Sequence, residues 1–303
     1  MKNIEVSSFD GLTIKAHLYD NIVNPKGMVL ITHGMSEHSK RYDGFANFLN
    51  SHGYVVCTYD LRGHGETIGD AEKVGTVGIG DNFNSCVKDA GEVSCFLKDL
   101  YPNLKLTVFG HSYGSFITQK YLQTYDFASK AIICGSGMQT GALLKAGQMI
   151  AGLGCKFKGK NAQAHIIANM SFGGYEKHFA KLGDDRPYSW LNRNLDEVAK
   201  YNADEFCGRT FTFGFYKSFF GAFKTLFKKD AIANIEKDTP IFMISGADDA
   251  VGDYGKGVET LCKLYMEAGL DVSLKLYKEM RHEILLETGY EEVWENVLGF
   301  IEK

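Results

Sequence analysis

Ser112 lies between Gly110 and Gly114, where an apolar, β-rich run within residues 104–122 stops and helix-spaced apolar residues begin. A serine on such a strand–turn–helix junction presents its hydroxyl at the tip of a sharp turn, ready to act as a nucleophile. Glycine is needed on both sides because a side chain at either place would clash as strand and helix cross. The G-x-S-x-G pattern alone says little in a chain with 34 glycines, so the neighbouring chemistry must carry the reading. Serine is a weak nucleophile at neutral pH and needs a base, a group that orients the base, and donors for a developing oxyanion. His282, in YKEMRHEILLE just past the run VSLKLY, is placed to swing an imidazole over the sheet's carboxyl edge as that base. Asp249, three residues after Gly246, would hold the imidazole; Asp248 beside it is the rival and Asp253 a remote one. The backbone N–H groups of Met35, after His33-Gly34, and of Tyr113, at the helix start, would receive the oxyanion. His33, Arg62 and His64 read as loop-fixing groups rather than reacting ones.

These residues need a sheet whose strands end at one edge. Short β-rich runs at 27–34, 54–60, 104–110, 130–137, 240–246 and 272–277 alternate with helical candidates near 41–52, 81–100, 113–125, 254–268 and 290–302. That alternation predicts an α/β fold, a mostly parallel twisted sheet with helices on both faces. The N-terminus alternates like a hairpin around Asp10-Gly11. Between the fourth and fifth parallel runs the rhythm stops for roughly a hundred residues, too long for a loop, so an inserted, mainly helical subdomain is expected there. The division is core 1–137, insertion 138–235 and core 236–303.

Composition narrows the function classes. The 303 residues can bury a large core, and a net charge of −4 argues against a nucleic-acid binder. Seven cysteines without a C-x-x-C pair read as buried thiols rather than metal ligands or disulfides. The N-terminus carries no apolar stretch suited to export or membrane spanning, which gives a cytoplasmic expectation. No pattern sets an oligomeric state.

HGMSEHSKRY, DLRGHGET, GHSYG, SGADDAVG and RHEIL together resemble the α/β-hydrolase branch that contains monoacylglycerol lipases, lysophospholipases and serine aminopeptidase-like hydrolases. The resemblance runs from residue 27 to the end. It implies a serine ester hydrolase with Ser112, Asp249 and His282 as triad and Met35 and Tyr113 as oxyanion donors, working without cofactor or metal. The acid motif departs from the family in reading Asp-Asp-Ala-Val where a single aspartate before proline is common. In the insertion, FYKSFFGAFKTLFKK places Tyr216, Phe219, Phe220, Phe223, Leu226 and Phe227 on one helical arc and Lys217, Lys224 and Lys228 opposite. Phe219, Phe220 and Phe223 are the expected acyl-chain wall, although the same arc would also serve simply to pack the insertion on the core. Leu143, Leu144, Met149, Ile150 and Leu153, followed by Lys156, Lys158 and Lys160, repeat the apolar-then-basic theme. The expected substrate is a small ester or lysolipid, with transient contact between the insertion and a membrane surface. A short-chain or aromatic carboxylesterase is the alternative. A peptidase-like hydrolase would need an acidic anchor such as Glu176, Asp184, Asp185, Asp204 or Glu205. An inactive interaction protein on this fold would be expected to lack part of the triad, and none is missing.

Overall fold

The structure is a computed structural model that describes residues 1–78 and 80–303. Among the described residues the strands are β1 Lys2–Ser7, β2 Thr13–Tyr19, β3 Gly27–Thr32, β4 Tyr54–Tyr59, β5 Leu106–His111, β6 Ala128–Cys134, β7 Ile241–Gly246 and β8 Val272–Tyr277. The helices are α1 Asp43–Ser51, α2 Gly65–Ile68, α3 Asn82–Leu100, α4 Tyr113–Leu122, α5 Ala142–Phe157, α6 His165–Lys181, α7 Leu195–Ala203, α8 Phe213–Leu226, α9 Lys229–Ile232, α10 Lys256–Glu267 and α11 Tyr290–Glu302.

All strands join one sheet in the order β1-β2-β4-β3-β5-β6-β7-β8. The β1–β2 hairpin is antiparallel and meets β4 antiparallel, while every pairing from β4 to β8 is parallel. Strands β3, β4, β5 and β7 are buried along their whole length, as their aliphatic runs require of strands covered on both faces. The side-chain period of two divides them: Met28 and Leu30 join the core under α3, α4 and α10, while Val29 and Ile31 join the core under α1 and α11. Edge strands β1 and β8 carry the polar residues Lys2, Glu5, Ser273 and Lys275, which discourage further strand pairing.

The break in rhythm corresponds to α5–α9, which lie between β6 and β7. Helix α8 takes its N-cap from Thr212, whose hydroxyl accepts the N–H of Phe215. Its arc packs back on the core: Phe219 lies against Phe83, Tyr113 and Phe116, and Phe223 against Phe116.

Candidate active site

Because β3, β5, β7 and β8 run parallel, the loops that follow them all emerge at one edge of the sheet. Ser112 follows β5 directly, with φ 52 and ψ −118, a left-handed conformation that costs a non-glycine residue about 1–3 kcal/mol. Gly110 and Gly114 make it possible. A Cβ on Gly110 would overlap the Thr118 hydroxyl and the Gly114 carbonyl, and one on Gly114 would overlap the carbonyls of Thr32 and His33.

Asp249 and His282 follow β7 and β8. The His282 Nδ1–H donates to Asp249, at 2.9 Å from Oδ1 and 3.0 Å from Oδ2, which leaves Nε2 to accept from the Ser112 hydroxyl at 2.8 Å. Asp249 is fully buried and also accepts from the Val251 N–H and the Ser245 hydroxyl. Burial pushes its carboxyl upward, but the His282 imidazole and these bonds outweigh burial and hold it below the ordinary aspartate value. Asp248 is exposed and bonds through its N–H to the Met280 carbonyl, and Asp253 sits further along the loop at φ 51. Of the three aspartates, only Asp249 is brought to His282.

Met35 follows β3, and both Met35 and Tyr113 border the cavity in front of Ser112. Gly34 permits the approach: a Cβ there would stand 3.1 Å from that of Ser112. His33 braces the same loop, donating from Nδ1 to the Gly34 carbonyl at 2.7 Å and accepting the Leu61 N–H on Nε2 at 3.0 Å. Arg62 is held by Asp89 and Asp10, and His64 donates to the Arg62 carbonyl, so neither faces the serine.

The cavity has a volume of about 540 Å³. Its lining includes the apolar side chains of Phe116, Leu143, Leu144, Ile167, Phe219, Phe220 and Phe223. The same lining includes the polar Ser36, Tyr188, Tyr201, Arg209 and Thr210. Glu176 borders the cavity, whereas Asp184 is paired with Arg186 and Arg281, and Asp204 with His38. Two groups among the described residues have metal-compatible spacing, His38-Asp204-Cys207 and His17-Asp60-Glu66. Their oxygens already have partners: His38 for Asp204, Ser39 and the Glu66 N–H for Asp60, and Lys40 for Glu66.

The family described as "Serine aminopeptidase, S33" (Hydrolase_4) matches residues 23–289. The chain belongs to that family. The S33-family chain is 26% identical over 286 residues to the monoglyceride lipase homolog of monkeypox virus, covering 93% of this chain and 90% of that one. It is 26% identical over 280 residues to the monoglyceride lipase of Mus musculus, covering 90% and 80%. A thermostable carboxyl esterase from Bacillus coagulans superposes with a TM-score of 0.90 at 27% identity, covering 99% and 97%. The architecture of the S33-family chain is accordingly the α/β-hydrolase fold.

Several residues around this site carry no signal of their own in the sequence. Trp190 lies with its ring 5.4 Å from that of His282 and stacks on Phe172. The loop bearing His282 is fastened to residues 184–194 of the insertion. Arg281 donates to Asp184 at 2.6 Å and to the Ser189 carbonyl, the Glu283 N–H donates to the Leu191 carbonyl at 2.7 Å, and buried Glu287 accepts from Arg193 and from the Arg281 N–H. A second buried cluster joins Glu37, Arg41, Tyr42, His111 and Glu283. Its one sequence trace is the i,i+4 spacing of Glu37 and Arg41 inside HGMSEHSKRY.

Proposed function

We propose that this protein is a serine ester hydrolase acting on monoacylglycerols, with Ser112 as nucleophile, His282 as base and then acid, and Asp249 as the orienting carboxylate. The observation that carries the reading is the hydrogen-bonded chain Asp249–His282–Ser112 opening onto a cavity lined in large part by apolar side chains. His282 takes the Ser112 proton as the hydroxyl attacks the ester carbonyl, and Asp249 stabilises the imidazolium. The N–H groups of Met35 and Tyr113 receive the oxyanion, His282 protonates the departing alcohol, and water repeats the cycle on the acyl-enzyme. Residues 138–235 form the cap that closes the cavity, between core segments 1–137 and 236–303.

The names of the viral and mouse relatives support the glycerol ester, and the presence of Phe219, Phe220 and Phe223 in the cavity lining supports a fatty acyl group. A lysophospholipid is less well served. Among the described residues lining the cavity, Arg209 is the single lysine or arginine, and it is already bonded to Glu72 and to the Glu205 carbonyl. The outer face of α5, with exposed Leu143, Met149, Leu153 and Phe157 beside Lys156 and Lys158, supports contact with a lipid surface. Seven free cysteines support a reducing, cytoplasmic setting.

The test is kcat/KM for p-nitrophenyl esters from C2 to C16, alongside monoacylglycerol hydrolysis. Ser112→Ala is expected to abolish both while remaining folded. Specificity is expected to rise by about 0.8 kcal/mol per methylene until the cavity is full. Phe223→Ala should flatten that rise more than it lowers acetyl-ester turnover. A profile highest at acetyl rejects the fatty acyl substrate.

A further inference from the structure

Two loops must keep a fixed spacing for the proposed reaction: the Gly34-Met35 turn that presents an oxyanion donor, and the loop that presents His282. A continuous buried chain of charges joins them. Glu37 Oε1 accepts the Gly34 N–H at 2.6 Å, and Glu37 Oε2 accepts from the Arg41 guanidinium at 2.7 Å. The same guanidinium donates to both carboxylate oxygens of Glu283, at 2.5 and 2.9 Å. Glu283 is the residue after His282; its carboxylate also accepts from the Asn192 amide, and its backbone N–H donates to the Leu191 carbonyl. The Arg41, Glu37 and Glu283 side chains are only 9, 4 and 4% exposed, so the contacts are scarcely screened by water.

His111 lies against the same cluster, beside Tyr42 and Glu37. The Tyr42 hydroxyl donates to Glu37 at 2.8 Å, so its oxygen accepts from Nδ1 of His111, also at 2.8 Å. Nε2 of His111 faces the His282 carbonyl at 3.2 Å, and a carbonyl only accepts. This assignment makes both ring nitrogens of His111 donors. Burial works against a charge on His111, and the Glu37 carboxylate beside it outweighs burial.

We propose that Arg41 is a positioning residue for ester hydrolysis: acting through Glu37 and Glu283, it fixes the Gly34-Met35 turn relative to His282 and so governs the rate of the chemical step rather than substrate affinity. This rests on the triad and oxyanion reading above. A flat guanidinium can bridge two carboxylates at once, whereas an ammonium cannot reproduce its paired donors.

The experiment compares Arg41→Met, Arg41→Lys, Glu283→Gln and Ser112→Ala on p-nitrophenyl butyrate at a temperature where each is folded. Affinity for a trifluoromethyl ketone, which forms an oxyanion on the serine, is measured in parallel. Arg41→Met is expected to lower kcat about 30-fold with KM changed less than about threefold, and to weaken the ketone in step with kcat/KM. Arg41→Lys should recover only part of the loss, and Glu283→Gln, nearly isosteric, should shift kcat in the same direction. Wild-type kcat in Arg41→Met or in Arg41→Lys overturns the bridging role, and should neither Arg41 variant fold, wild-type kcat in Glu283→Gln overturns it. A rise in KM with kcat and ketone affinity intact also overturns it. Ser112→Ala separates the two levels: turnover retained there rejects the triad reading itself, whereas an inactive Ser112→Ala beside a wild-type-like Arg41→Met rejects the positioning role alone.

Discussion

Asp248 and Asp249 are chemically identical neighbours, and the backbone decides between them. The turn after β7 returns the Asp249 N–H to the Gly246 carbonyl and sends the Asp248 N–H to Met280 on the His282 loop. Asp249 is thereby driven inward onto Nδ1 of His282, and Asp248 outward into solvent. Asp249→Asn is expected to lower kcat by about 10³–10⁴-fold, because an amide in place of the carboxylate leaves the imidazole in the wrong tautomer. Asp248→Asn should stay within about twofold of wild type, since exposed substitutions away from a site change little. Steady-state kinetics on one ester settles the order, and the reverse order would move the orienting role to Asp248. Spacing alone could not make this choice, because both residues follow Gly246 closely enough to reach a histidine. Ser112 and His282 were legible because one directly follows a readable strand and the other lies on the short loop after one. Glu37, Arg41 and Glu283 were not, since their partnership exists only once residues more than 200 positions apart are folded together.

The ties between the His282 loop and residues 184–194 make one acid measurable at the scale of an element. Two hydrogen bonds from Arg186 and one from Arg281 hold the Asp184 carboxyl down to about 2, with burial opposing them. A carboxyl depressed from 3.8 to about 2 stabilises the fold above its unfolded value, and that contribution disappears as pH falls through about 2. Asp184→Asn is therefore expected to cost roughly 1 kcal/mol at pH 7 after allowance for solvent screening, lowering Tm by about 1–2 °C. Thermal melts from pH 7 to 2 should show the difference shrinking below about pH 4. A constant gap across that range would mean that the pair contributes nothing through charge. The strands themselves were plain in the sequence, since β-branched and aliphatic runs bounded by glycine have few other stable settings. Most of the insertion was not. Helix α8 could be read from its aromatic arc, but α6 mixes Gly173, Gly174 and polar residues with its apolar ones, and its course depends on what it packs against.

On the scale of the whole molecule, charge and apolar exposure are unevenly distributed. The chain carries −4 overall, yet the outer face of α5 combines exposed Leu143, Met149, Leu153 and Phe157 with Lys145, Lys156 and Lys158. Such a face gains from an anionic lipid surface through both apolar burial and charge. Phe157→Glu is expected to reduce co-sedimentation with phosphatidylserine-containing vesicles severalfold while leaving turnover of a soluble ester unchanged. Equal sedimentation of variant and wild type would remove α5 from the contact. The insertion thus has two unlike parts: α5 and α6 meet the outside, whereas residues 184–194 are bound to the loop bearing His282 by Arg193, Asn192 and the Leu191 carbonyl. That division sets where the chain can be cut and rejoined. A chimera that imports a relative's specificity should exchange only the stretch before Asp184, since a transplant running on to residue 235 would replace the partners of Arg281, Glu283 and Glu287 and leave the recipient's histidine without its native support.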